Sequence, residues 1–117
     1  QMHVCAAKAG VDMITRVAAL EWGPAGIRVN SVVPGPIENT EGMRRLAPTE
    51  AAMKLAVDTV PIKKLGTVDN IADACLWLSS PMASYVSGVI LPVDGGWSLG
   101  GAQSLGKGLT ELLSGKK

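Results

Sequence analysis

Apolar residues recur at helical spacing through residues 4–22 of the chain. Residues 23–26, which contain two glycines and a proline, are typical of a helix end, because glycine accepts left-handed backbone angles and proline cannot continue a helix. A β-branched run then covers residues 27–33 and is stopped by two prolines that flank a glycine. This order predicts a long helix followed by a strand of a buried sheet.

Residues 38–78 are predicted to form a loop followed by two helices. Residues 38–48 are predicted to form a polar loop that contains a short helix. Thr49 has the hydroxyl of an N-cap residue and is expected to begin a helix that runs through Val57. Thr67 is expected to cap a further helix over residues 68–78, whose apolar positions share one face.

A second strand is predicted over residues 86–93, although Gly88 and Pro92 interrupt it. Residues 98–117 are rich in glycine and serine, and they are expected to form a flexible C-terminal tail after a domain over residues 1–97. Helices that alternate with two tightly connected strands indicate an α/β fold with parallel strands. Because two strands alone do not make a stable sheet, further strands are expected from outside this chain.

Composition and charge exclude several classes of protein. The 117 residues carry a formal net charge of +1, without the basic stripe of a nucleic-acid-binding protein, and no apolar run has the length of a membrane span. Cys5 and Cys75 lack metal-ligand spacing, so no metal site is expected. The chain begins inside a helical pattern, and it is therefore expected to be a fragment of a longer protein.

An ordered set of short motifs resembles the C-terminal half of the short-chain dehydrogenase/reductase family. The motifs are Ala6-Ala7-Lys8-Ala9-Gly10, Leu20-Glu21-Trp22-Gly23, Ile27-Arg28-Val29-Asn30, Pro34-Gly35-Pro36-Ile37 and Val93-Asp94-Gly95-Gly96. The resemblance implies a doubly wound, Rossmann-like parallel sheet that binds a dinucleotide, with its N-terminal half absent from this chain. It also implies a homo-oligomer, either a tetramer or a dimer.

Within that family, the stretch that follows the strand is similar to the 2,4-dienoyl-CoA reductases of the peroxisomal type and their bacterial relatives. The similar pieces are Pro36-Ile37, Thr40-Glu41-Gly42 and Arg44-Arg45-Leu46. Most family members place a catalytic tyrosine four residues before the lysine of the motif, but here that position is Val4, which cannot donate a proton. Dienoyl-CoA reductases also lack the tyrosine, so Val4 favours them over an ordinary carbonyl reductase.

The resemblance implies an oxidoreductase that uses NADPH to reduce 2,4-dienoyl-CoA to enoyl-CoA in the degradation of unsaturated fatty acids. NADH remains an alternative cofactor, because the residues that select it lie upstream, and this chain alone is expected to be inactive. Two other hypotheses stay open: a 3-oxoacyl reductase or alcohol dehydrogenase of the same family, and a non-catalytic family member. Gly115-Lys116-Lys117 is not the peroxisomal Ser-Lys-Leu signal, which favours a cytoplasmic, bacterial-type protein over a peroxisomal one.

The resemblance also assigns roles to individual residues, each with a simpler structural alternative. Lys8 would be catalytic and would orient the cofactor ribose, unless it is an ordinary solvated lysine. Arg45 would contact a phosphate of the acyl-CoA substrate, unless it is a solvated loop charge. The residues implied in cofactor binding are Lys8, Pro34, Gly35, Pro36 and Ile37. The last four follow a strand end, where α/β sheets bind ligands, although such a segment can also be a plain turn.

Overall fold

A computed structural model describes residues 2–115 of the chain. The helices are α1 (Met2–Trp22), α2 (Glu41–Leu46), α3 (Glu50–Thr59), α4 (Val68–Ser79) and α5 (Gly101–Leu113), and the strands are β1 (Ser31–Pro34) and β2 (Ile90–Val93). Single 3-10 turns lie at Gly23–Ala25, Pro81–Ala83 and Trp97–Leu99. The chain divides into two compact units. Unit 1 contains the residues up to Val33 together with Asp73–Leu91, and unit 2 contains Pro34–Ala72 together with the residues from Pro92 onward.

Helix α1 forms where the apolar spacing predicts it and ends where glycine and proline predict an end. The 3-10 turn Gly23–Ala25 follows it directly, and the Gly26 N–H donates to the Gly23 carbonyl at 2.8 Å. Gly26 has a φ of 77°, a left-handed conformation that glycine adopts without steric cost. Along the helix, Thr15 and Ala18 are the buried residues.

The strands β1 and β2 pair in parallel. The Ser31 N–H donates to the Val89 carbonyl at 2.9 Å, and the Gly35 N–H donates to the Val93 carbonyl at 3.1 Å. Both strands are shorter than the sequence predicts. Gly88 explains the late start of β2, because its φ of 77° is incompatible with extended backbone.

Before the two strands begin, side-chain hydrogen bonds take the place of part of the backbone hydrogen bonding between them. The Asn30 amide donates to the Val86 carbonyl at 3.0 Å, and its oxygen accepts the Val89 N–H at 3.1 Å. Within this chain, β1 is half-buried at its start and exposed at its end. Among residues 2–115, β2 is the only strand that pairs with it. A fully buried sheet, which was expected to need strands from outside this chain, stays a prediction.

The core of unit 2 is built by short helices that carry small residues. Thr49 caps α3 as predicted, since its hydroxyl accepts the Ala52 N–H at 3.2 Å. Helix α5 packs against α3, and small side chains on α3 allow a close approach. The buried cluster consists of Met43, Ala47, Ala52, Ala56 and Leu105.

Helix α5 occupies most of the segment that the sequence assigns to a flexible tail. The sequence indicates only a weak helix over residues 109–113, whereas the helix in the structure covers Gly101–Leu113. Leu105, on α5, is buried in the core of unit 2, which accounts for helix formation despite the glycines. The mobility of the tail, and the division of the chain at residue 97, stay predictions. Lys116 and Lys117 lie outside the described residues. The described helices include none with the combination of length and apolar character that a membrane crossing requires.

Candidate functional site

The strand-end turn (residues 34–37) continues β1 and is fixed by contacts on both sides. A Cβ atom added to Gly35 would lie 2.6 Å from the Cα atom of Asp94, so the backbones of the two residues approach each other too closely for a side chain. The sequence explains Gly35 by the approach of a ligand. The structure adds a second reason, which is the packing of this turn against the residue that follows β2.

The far end of the turn is tied to a distant segment. Ile37 and Gly66 form an isolated parallel bridge, in which the Gly66 N–H donates to the Pro36 carbonyl and the Glu38 N–H donates to the Gly66 carbonyl, both at 2.9 Å. Pro36 and Ile37 are buried. The turn is therefore held at two points, by β2 at its start and by Gly66 at its end.

Thr40 connects the turn to helix α2. Its hydroxyl donates to the Ile37 carbonyl at 2.8 Å and accepts the Met43 N–H at 3.3 Å, so one side chain caps the helix and holds the preceding loop. This contact sets where α2 begins relative to the turn. It therefore also fixes the positions of Met43 and Leu46, which are one helical turn apart.

The turn and α2 border an apolar cleft of about 700 Å³ in unit 2. The strand-end turn lines it on one side, together with Met43 and Leu46 from α2, Ile71 from α4 and Trp97. Among the described residues that line the cleft, Thr40 alone carries a side-chain hydroxyl. Walls of this kind suit a flat or flexible apolar group, and the strand end supplies backbone polar groups beside them.

Asp94 fixes the turn that leads from β2 to Trp97. Its carboxylate accepts the Gly96 N–H at 2.9 Å and the Ser98 N–H at 2.8 Å. Partial burial acts to raise the pKa of Asp94, but hydrogen bonds from Ser98 and from the Gly96 backbone outweigh it and hold that pKa below its ordinary value. The ionised carboxylate is thus the form that orders this turn.

The structure pairs both arginines of α2 with one carboxylate. The Arg45 Nε lies 2.8 Å from Glu41 Oε1, and the Arg44 Nε lies 3.0 Å from Glu41 Oε2. The Arg45 side chain is 80% exposed, and it is not among the described residues that line the cleft. It lies instead on α2, the helix that borders the cleft.

Lys8 is exposed on α1, in unit 1, whereas the strand-end turn and Arg45 belong to unit 2. Val4 lies one helical turn before Lys8 and is also exposed. The structure therefore brings the four residues of the turn together in one cleft. The roles of Lys8, of the turn and of Arg45 stay predictions.

Sequence reasoning missed the apolar walls of the cleft. Met43 and Leu46, three residues apart on α2, offered a local signal, because this spacing places them on one helix face. Ile71 and Trp97 offered none, since they join the cleft from segments far along the chain. Their contribution depends on tertiary packing.

Comparison with known proteins identifies the family. A family profile described as enoyl-(acyl carrier protein) reductase matches residues 1–98. A dehydrogenase structure from Agrobacterium tumefaciens with bound NADP is 42% identical and superimposes with a TM-score of 0.73, covering 80% of this chain and 38% of that one. The chain belongs to the short-chain dehydrogenase/reductase family, which confirms the predicted Rossmann-like α/β fold.

The similar curated proteins include 2,4-dienoyl-CoA reductases, as the sequence motifs predict. The chain is 56% identical over 96 residues to the peroxisomal 2,4-dienoyl-CoA reductase of Mus musculus, covering 82% of this chain and 33% of the mouse protein. It is 46% identical over 96 residues to a probable 2,4-dienoyl-CoA reductase of Bacillus subtilis, covering 81% of this chain and 38% of that protein. The chain thus spans about a third of the length of these relatives, which include both peroxisomal and bacterial proteins.

Proposed function

We propose that this chain is part of an oxidoreductase that reduces 2,4-dienoyl-CoA thioesters to enoyl-CoA with NADPH, in the degradation of unsaturated fatty acids. The observation that carries the proposal is the apolar cleft at the carboxyl end of β1, where doubly wound sheets bind their ligands. The similarity to dienoyl-CoA reductases from a mouse and a bacterium supports the choice of substrate.

The strand-end turn has the properties that a nicotinamide ring requires. Its apolar residues can cover one face of the ring, and within residues 2–115 no hydrogen bond occupies the Ile37 N–H, which leaves a backbone donor for the carboxamide oxygen. The bridge to Gly66 holds that donor in a fixed place, so little motion would be needed on binding. NADPH is proposed over NADH by the resemblance, and the NADP-bound relative is consistent with it.

When bound, the cofactor would supply a hydride to the conjugated thioester, and a proton from solvent or from an acid elsewhere in the protein would complete the reduction. This chain's residues would bind and orient the reactants. Met43, Leu46 and Ile71 would cover the acyl group and exclude water, and Lys8 would hold the ribose through its ammonium group. Val4 in place of a tyrosine means that position 4 supplies no proton.

The test is a steady-state assay of the full-length protein that contains this chain. We expect NADPH-dependent reduction of 2,4-dienoyl-CoA, with much lower kcat/KM for a 3-oxoacyl thioester of the same length. A preference for the 3-oxoacyl substrate would overturn the proposal in favour of the carbonyl-reductase alternative. NADH in place of NADPH, in the same assay, tests the choice of cofactor.

The 117-residue chain alone is proposed to be inactive, because the cofactor's phosphate-binding loop would lie in the part of the relatives that it does not span. Saturable NADPH turnover by the purified chain would contradict this. A homo-oligomer and a cytoplasmic, bacterial-type location also belong to the proposal. Light scattering of the full-length protein and fractionation of the source cells, respectively, would test them.

A further inference from the structure

Helix α5 belongs to the same packing unit as the cleft, although it lies beyond the residues that the family profile matches. Leu105 of α5 is buried against Ala52 and Ala56 of α3. Gly108 allows the same close approach further along, since a Cβ atom there would lie 2.6 Å from the Leu55 side chain. The middle parts of α3 and α5 are therefore packed closely together.

Trp97 stands between this helix pair and the cleft. It lines the cleft and packs against the buried cluster of unit 2. Its indole Nε1–H donates to the Thr59 hydroxyl at 3.2 Å, and that hydroxyl donates in turn to the Ala56 carbonyl at 2.8 Å. The last turn of α3 thus fixes the orientation of the indole ring.

Gly101 leaves the space in which the ring lies. It is buried, and a Cβ atom added to it would overlap the Trp97 ring and lie 2.6 Å from the Thr59 carbonyl oxygen. The backbone of α3 cannot move aside easily, so an added methyl group would displace the indole. The first residue of α5 is therefore coupled to the wall of the cleft.

We infer that Trp97 is a specificity-determining residue of the cleft, and that Thr59 and Gly101 are positioning residues that set the place of its indole ring. The inference rests on the proposed function, because the acyl group of the substrate is the occupant that the ring would limit. A wall that moves by part of a methyl group changes the fit of long acyl groups more than that of short ones. Discrimination by one methylene in an apolar pocket is worth about 10-fold or more.

The experiment compares two glycine-to-alanine variants of α5 in the full-length protein. Gly101→Ala adds a methyl group against Trp97, whereas Gly106→Ala adds one where no atom lies within 4 Å. We measure kcat and KM for a short and a long 2,4-dienoyl-CoA. Gly101→Ala should lower the long-to-short ratio of kcat/KM by about ten-fold, mainly through KM, and Gly106→Ala should leave it unchanged.

Thr59→Val provides a second variant that frees the indole without crowding it. Thr59→Val should also change the long-to-short ratio of kcat/KM. Trp97→Phe, which keeps an aromatic ring but loses the N–H donor, should change that ratio in the same way. Equal losses of kcat/KM for both chain lengths, in Gly101→Ala and Thr59→Val alike, would show a purely structural role and overturn the inference.

A binding measurement separates this inference from the proposed reaction. A protein with Trp22→Phe and Trp77→Phe retains Trp97 as its fluorophore within this chain, and any tryptophan outside the chain is replaced likewise. Titration with hexadecanoyl-CoA should shift its emission, and Gly101→Ala should weaken that binding where Gly106→Ala does not. A shift in a protein that reduces no dienoyl-CoA would reject the proposed function and keep the inference. Reduction of dienoyl-CoA without a shift of the Trp97 emission would support the proposed function and overturn the inference.

Discussion

The two units differ in how they bury their apolar side chains. In unit 1, helix α1 is 21 residues long, yet only Thr15 and Ala18 are buried, and large side chains such as Ile14 and Leu20 are 68% and 78% exposed. In unit 2, residues of α2, α3 and α5 and of the segment after α2 form a cluster of five buried residues, and α2 also borders the cleft.

This difference has consequences for what each unit does. Unit 2 buries a cluster of apolar residues within the chain, so its cleft can be shaped by contacts such as those of Thr40 and Trp97. Unit 1 presents apolar side chains that this chain leaves exposed, and burial of each would contribute about 1.5–3 kcal/mol. We therefore expect a change at Lys8, which is exposed in unit 1, to act on turnover, and changes in the packed residues of unit 2 to act on stability and substrate fit.

The largest effect is expected from Lys8→Ala in the full-length protein. Loss of the ammonium group at the cofactor ribose should lower kcat by about 100-fold or more, a typical magnitude for a group that positions or assists proton transfer. The melting temperature should hardly change, because Lys8 is exposed. Lys54→Ala, which removes an exposed lysine of α3, is the control. If the Lys8→Ala protein is folded and keeps nearly normal turnover, Lys8 is an ordinary solvated residue without a role in the reaction.

Gly35→Ala is expected to act on the stability of unit 2. The added Cβ atom would lie 2.6 Å from the Asp94 Cα atom, and both backbones are tied by hydrogen bonds. The free energy of unfolding should fall by about 1–3 kcal/mol, as measured by denaturant titration. Gly42→Ala is the matched control, since its nearest neighbour would be 4.0 Å away. Equal stability of the two variants would mean that the turn relaxes freely.

Arg45→Ala should raise the KM for acyl-CoA by about ten-fold, equivalent to roughly 1.4 kcal/mol, with little change in the KM for NADPH. The effect should shrink at high salt, because the side chain is exposed and the contact with a phosphate is screened. Arg44→Ala serves as the control, since Arg44 pairs with the same Glu41 carboxylate. Equal shifts in the two variants would assign the effect to α2 rather than to a phosphate contact.

The smallest effect is expected from Asp94→Asn and depends on pH. Because the pKa of Asp94 is lower in the folded protein than in the unfolded chain, its contribution to stability is present above the unfolded pKa and is lost as the pH falls through the folded pKa. The stability difference between wild type and variant should therefore be largest near neutral pH and shrink in acid. Unfolding titrations across that range measure it, with Asp58→Asn as the control. If the stability difference between wild type and variant does not change with pH, the Asp94 carboxylate is not its source.

The parts of the structure that could be predicted are those set by neighbours in sequence. Thr49 caps α3, and Thr67 caps α4 by accepting the Asn70 N–H at 3.2 Å. Each cap depends on a side chain and an N–H three residues later. The strand-end turn was predictable from local sequence too, since proline restricts the backbone and cannot donate to a sheet, and glycine permits turn conformations.

The parts that could not be predicted depend on partners distant in sequence. Helix α5 contains Gly106 and Gly108, which disfavour a helix, yet packing of Leu105 in the core outweighs this preference. The strands were predicted too long because Asn30 takes backbone partners that a continuing ladder would use. No pattern in the sequence indicated that Trp97 would line the cleft.

The bridge between Ile37 and Gly66 has a consequence for how this fold can be modified. It brings the two ends of residues 38–65 together, so that α2 and α3 form a closed excursion from the sheet. The entropy of closing such an excursion grows only slowly with its length. Segments of other lengths can therefore be grafted between these two residues without moving the strand end, provided that they keep the small side chains on which α5 packs.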